Sequence, residues 1–158
     1  MTNRIAALRE HIDAVLLTMP DALERRCAYV HLYGVAQACT LIAMKRGANA
    51  ELATMAGMLH DFYAFKYKDP GNHGPKGALL AREVLDELKL TSPEETDMIC
   101  TAIHNHSDKN GGFDAFTEIL IDADVMQHCL YDITMPVAER EIERFQGLVK
   151  AFGLEKEA

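Results

Sequence analysis

Gly57-Met58-Leu59-His60-Asp61-Phe62 closes an apolar segment with two adjacent residues of the kind that ligate metals. Upstream, Leu52, Met55, Ala56 and Leu59 recur at three- and four-residue spacing, the stripe of an amphipathic helix that Asn49 can cap. The stripe ends on His60, so that imidazole is expected to face the core. Asp61 lies about 100° further round, where the helix stops, and can reach the same point from the side. A buried imidazole beside a buried carboxylate needs something to satisfy it, and a cation gripped from two directions would do so. The dipeptide alone is a weak signal, because a chain with seven His carries such pairs by chance. Its meaning rests on the remaining histidines and acids.

Outward from this stretch, helical periodicity with start and stop residues recurs along the chain and strand signals are almost absent. The expectation is an all-α fold, a helical bundle of about six or seven helices. Asn3 to Thr18 carries Ile5, Leu8, Ile12, Val15 and Leu16 and ends before Pro20, with His11 flanking the stripe. Asp21 caps a long helix to Arg46, terminated by Gly47, with Leu23, Cys27, Val30, His31, Gly34, Val35, Ala38, Leu41 and Ile42 read as its buried face. Phe62 to Asn72, with its lysines and Asp69-Pro70-Gly71, reads as a loop over the site. His73-Gly74-Pro75-Lys76-Gly77 opens a helix to Leu88, with His73 at the head of the stripe Gly77, Leu80, Val84 and Leu88.

Ser92-Pro93-Glu94-Glu95 is a strong helix start, and Ile99 and Ile103 carry that helix to His106. The wheel turns His106 inward and places His104 with Asp97 and Cys100, although His104 stays open as the alternative in a frayed last turn. Ser107 to Asp114 is a polar loop with Lys109. The helix Ala115 to Tyr131 turns Phe116, Leu120, Ala123 and Asp124 inward, leaving Asp122 as an outer or solvated acid and His128 one turn beyond Asp124. Pro136 opens a last helix with Val137, Phe145, Leu148, Val149 and Phe152 buried, which we read as cover over the core.

Composition sets bounds on function. The 158 residues are read as a single domain, 1–158, ordinary in hydrophobic and charged content. A net charge of −8 and a pI near 5.3 disfavour a phosphate-backbone footprint, so no nucleic-acid partner is expected. Cys27, Cys39, Cys100 and Cys129 lack any C-x-x-C spacing and read as reduced core thiols. No signal-peptide segment and no run of membrane-spanning length is evident, which gives the expectation of a cytoplasmic protein without a membrane partner.

Together, His31, His60 with Asp61, His106 and Asp124 converge from separate helices, and His73 joins them at a helix start. Mixed imidazole and carboxylate donors suit a divalent transition metal, Mn, Fe, Co, Ni or Zn, as one or two ions. The order His31, His60-Asp61, Asp124 resembles the HD-domain metal-dependent phosphohydrolase superfamily, with its H…HD…D signature on an all-α core. The resemblance covers about residues 28–132, and Ile121-Asp122-Ala123-Asp124 looks like its last motif. It implies a first ion on His31, His60, Asp61 and Asp124 and, in members with two ions, a second on His73 and His106. It also implies a small phosphorylated substrate, such as a nucleotide, attacked by metal-activated water, with Asp61 as bridging ligand and candidate base. The lysine many members carry three residues after the HD aspartate is Ala64 here, with Lys66 nearby. Lys66, Lys76, Lys109 and Arg82 are the candidate phosphate contacts, and Asp122 and His128 stand as outer-shell or alternative ligands. A non-catalytic metal- or nucleotide-binding module and a metal-free helical interaction protein are the competing readings. The residues say nothing of oligomeric state.

Overall fold

The fold is that of a computed structural model describing residues 3–154; the outermost ends of the expected 1–158 domain, Met1 and Thr2 included, lie outside the described residues. Seven helices of ten or more residues carry it: α1 (Arg4–Leu17), α2 (Ala22–Arg46), α3 (Ala50–Leu59), α5 (His73–Leu88), α6 (Pro93–Asn105), α7 (Ala115–Tyr131) and α8 (Ile142–Ala151). A short helix, α4 (Phe62–Tyr67), sits between α3 and α5, and no strand occurs among the described residues. The all-α expectation holds.

Local chemistry sets most of the boundaries. The side chains of Asn3, Asp21, Asn49 and Asp114 each accept a backbone N–H in the first turn of the helix they precede. Such caps are worth about 1 kcal/mol apiece. Ser92 and Glu95 form a reciprocal capping box at α6. Gly47 ends α2 at φ 68°, a left-handed conformation in which a side chain would be strained.

Helix α3 is the centre of the core. Every residue from Leu52 to Leu59 is buried, as befits a helix apolar on all sides. It packs chiefly against α2, and Gly57 permits the approach: a Cβ there would lie 2.7 Å from the Ala36 Cα. That closeness corrects the expected face of α2. Leu23, Val30 and Leu41 are 60%, 40% and 50% exposed, and Cys27 is also exposed. Val35, Ala38 and Ile42 are buried as expected, and Ala28, Leu32, Ala36, Cys39 and Ala43 complete the face in place of the exposed residues. Small alanines, not the largest apolar side chains, make the contact that two closely spaced helices require.

Three other expectations change. Phe62 to Tyr67 is helical rather than loop, since Phe62 is buried and Asp61 C=O accepts the Phe65 N–H at 3.2 Å; the loop is Lys68 to Asn72. The last helix begins at Ile142 instead of Pro136, because the chain stays extended at Ala138 and passes through a 3-10 turn that buries Glu141. Helix α2 does contain a stretch long and apolar enough by composition to cross a membrane, contrary to the sequence expectation. Here it packs between α3 and α7 as a core helix.

Candidate metal centre

Five helices bring their histidines and acids to one point. His31 comes from the middle of α2, His60 and Asp61 from the bend between α3 and α4, His73 from the first residue of α5, His106 from the end of α6 and Asp124 from α7. The bend matters: Asp61 leaves helical geometry at φ −110°, ψ 8°, which swings its carboxylate back toward His60. Glycine lets α5 close in. A Cβ at Gly74 would lie 2.6 Å from the His104 carbonyl oxygen, and one at Gly77 would lie 3.2 Å from that of His60.

The Nε2 atoms of His31 and His60 are 3.0 Å apart, and those of His73 and His106 are 3.2 Å apart. Asp61 stands between the pairs. Its Oδ2 is 3.2 Å from His31 Nε2 and 3.6 Å from His60 Nε2, while its Oδ1 is 3.3 Å from His73 and 3.2 Å from His106. Asp124 Oδ1 closes the first pair, 3.6 Å from His31 and 3.7 Å from His60.

The donor set fits a cation. Each imidazole turns Nδ1 toward an oxygen: His60 to Gly57 C=O at 2.8 Å, His106 to Ile103 C=O at 2.6 Å, His73 to Pro70 C=O at 2.7 Å and His31 to the Gln127 amide oxygen at 2.8 Å. Oxygens of this kind only accept, so Nδ1 carries the proton and the neutral rings point bare Nε2 lone pairs at one another. Lone pairs crowded so closely repel unless positive charge lies among them. Asp124 Oδ1 gives the same sign, as a buried carboxylate oxygen with no hydrogen-bond partner among the described residues.

Electrostatics agree. Burial pushes His60 down to about 4, keeping its imidazole neutral and available as a donor. Burial works to raise Asp61, but His60, His106 and His31 outweigh it and hold the carboxyl well below the usual range. Burial likewise opposes ionisation of Asp124, and Lys109, His60, His128 and His31 overcome it. Burial lowers His31, yet Asp61 and Asp124 outweigh it and leave it raised, the mark of negative charge that a cation at this point would balance.

His106, buried, is the histidine that α6 contributes, while His104 is exposed. Asp122 is buried against Arg46 and Arg144, facing away from the histidines. His128 stacks on His31 at 5.3 Å, with Nε2 3.3 Å from Asp124 Oδ1 and Nδ1 3.1 Å from buried Glu141. Of the four candidate phosphate contacts, Lys109 alone reaches the cluster, pairing with Asp124 and donating to His106 C=O at 3.0 Å. Lys66 lies over the Phe62 and Tyr67 rings, Lys76 pairs with Asp69 and Arg82 with Asp97. Sequence reasoning passed over Gln127 and Glu141, which orient His31 and His128, and Ser107, whose hydroxyl donates to His73 Nε2 at 3.0 Å. The i, i+3 spacing of Gln127 after Asp124 was the available signal for one of them.

The same fold occurs in a solved structure described as a predicted HD superfamily hydrolase from an uncultured Thermotogales bacterium. That chain matches with a TM-score of 0.59 at 18% identity, over 96% of this chain and 88% of its own. No curated protein matches in sequence. The HD domain model matches residues 28–144, past the expected limit at Asp132 and into α8. That span takes in each of the converging donors from His31 to Asp124, and on it the chain belongs to the HD domain family.

Proposed function

We propose that this chain is a phosphohydrolase acting on a nucleotide or another small phosphorylated metabolite, with two divalent ions at the histidine cluster. His31, His60, Asp61 and Asp124 would hold the first, and His73, His106 and the other oxygen of Asp61 the second. The observation that carries this reading is the division of Asp61, one carboxylate oxygen toward each imidazole pair. When bound, divalent ions in such a donor set polarise a phosphoryl oxygen and bring the pKa of water toward about 7.

The protein's own part is positioning and charge. Asp61, whose carboxyl His60, His106 and His31 hold below the usual range, would act as the charged ligand between the two sets. Lys109 neutralises Asp124 from behind, and Gln127 and the three carbonyl oxygens hold the rings in register. All four cysteines are free, which supports a reducing compartment such as the cytoplasm.

The test is protein loaded separately with Mn, Fe, Co, Ni and Zn, assayed for phosphate release from nucleotides and phosphomonoesters. Metal-dependent release is expected. Stoichiometric metal without turnover on any substrate would leave a metal-binding module, and absence of bound metal would sink the hydrolytic reading.

A further inference from the structure

Two cavities reach the cluster, one at His31 and the other at Asp61. One, of about 280 Å³, is lined by His31 together with Val30 and Tyr131; the other, of about 520 Å³, is lined by Asp61 together with Met19, Leu23 and Phe65. Cys27 lines both, and His31 Nε2 and Asp61 Oδ2 are only 3.2 Å apart, so the cavities form one groove across the open edge of the cluster. Leu23, Val30 and Tyr131 are 60%, 40% and 67% exposed there, an unusual concentration of solvent-facing apolar surface beside a polar centre.

The groove is also poor in free polar groups. Among the described residues lining it, Lys68 is the one lysine or arginine, and it is paired with Glu24 at 2.6 Å. The Gln127 amide oxygen is engaged by His31, and His128 is held by Glu141. Cations gather instead in another cavity of about 530 Å³, lined by Arg46, Lys109, Arg140 and Arg144; Lys109 links it to the cluster through Asp124, but none of the six candidate ligands borders it. Several phosphates in a row need several cations or further metals, and sugar hydroxyls need unengaged hydrogen-bonding partners. Among its described residues this groove offers no unpaired cation and, beyond the Tyr131 hydroxyl and the Gln127 amide N–H, few polar groups, while its apolar walls would stabilise a hydrocarbon or aryl group by removing it from water.

We propose that the groove selects a phosphomonoester with a single phosphoryl group and an apolar organic part, aryl or alkyl, seated between Leu23 and Phe65 on one side and Val30 and Tyr131 on the other. This rests on the hydrolytic reading above and narrows its substrate class. Leu23 and Val30 act as specificity determinants. They touch the organic part of the substrate and leave the reacting atoms to the histidine cluster.

The experiment compares benzyl and hexyl phosphate with glycerol 3-phosphate, glucose 6-phosphate and ATP, using metal-loaded full-length protein. The monoesters are alkyl-type esters of similar leaving-group acidity, so differences among them report the walls and not the chemistry. The expected result is a kcat/KM for benzyl and hexyl phosphate at least about tenfold above that for the polar monoesters, the scale on which an apolar pocket discriminates, with ATP lowest. In the uncharged variants Leu23→Ser and Val30→Thr, KM for benzyl phosphate should rise about tenfold, well beyond any change in KM for glycerol 3-phosphate. Equal or better turnover of ATP or sugar phosphate, or a KM rise shared by all esters, overturns the apolar assignment and leaves the hydrolase standing. No hydrolysis of any ester by fully loaded protein removes the hydrolytic reading, and this one with it.

Discussion

The two imidazole pairs that Asp61 separates are built differently. Around His31 and His60 the protein supplies another buried carboxylate, Asp124, with Lys109 behind it and His128 beside it. Around His73 and His106 it supplies, among the described residues, Asp61 Oδ1 and the Ser107 hydroxyl, and His73 stands at the partly exposed start of α5. One set is nearly closed by protein and the other leaves room, which is the usual difference between a site that anchors an ion and one that exchanges its outer partners. The open side is therefore where weaker, more readily lost metal is expected.

Removing the shared element should have the largest effect. In Asp61→Ala both sets lose a donor, and elemental analysis should find neither ion, with phosphate release below detection; retention of one ion at full stoichiometry would show that Asp61 serves a single set. His73→Ala should then separate the two. One of two ions is lost, His31 and His60 keep theirs, and activity falls while the far-ultraviolet circular dichroism is unchanged. Unaltered metal content and activity would break the two-ion arrangement.

Lys109→Met tests the closed set through stability. The side chains of Lys109 and Asp124 are each 7% exposed, so losing the ammonium leaves a buried carboxylate uncompensated. Breaking such a pair costs about 3–5 kcal/mol, and denaturant melts should show that loss in metal-free protein and a smaller one with metal present. An equal loss in both states would mean that Asp124 does not face the ion. Gln127→Leu should be milder, weakening metal affinity about 10–100-fold at the His31 set by freeing the ring that Gln127 orients. Titration with Zn would reveal it as a change in one binding step. Ser107→Ala should have the smallest effect, a change confined to the His73 step, since it removes one exposed hydroxyl contact.

Much of this comparison was visible in the chain because the relevant signals are local. Caps at Asp21, Asn49, Ser92 and Asp114 act within one turn, and helical phase depends only on spacing. Phase turned His60, His106 and Asp124 inward and His104 outward, as the structure has them. It misplaced part of the face of α2, turning Leu23, Val30 and Leu41 inward where the close approach of α3 favoured Ala28, Ala36 and Ala43. It also missed α4, six residues being too few for a periodic signal.

The sequence by itself determined the all-α class, most helix boundaries and the set of histidines and acids that converge, since all of these follow from interactions spanning a few residues. Only the tertiary structure decided how they divide. Asp61 faces two ways because α3 bends into α4 while α5 and α6 arrive from the opposite side. Asp122 turns to Arg46 and Arg144, and Lys109 to Asp124, through contacts between side chains 15 to 76 positions apart. Spacing along the chain carries no information about such pairings, because packing of whole helices sets them.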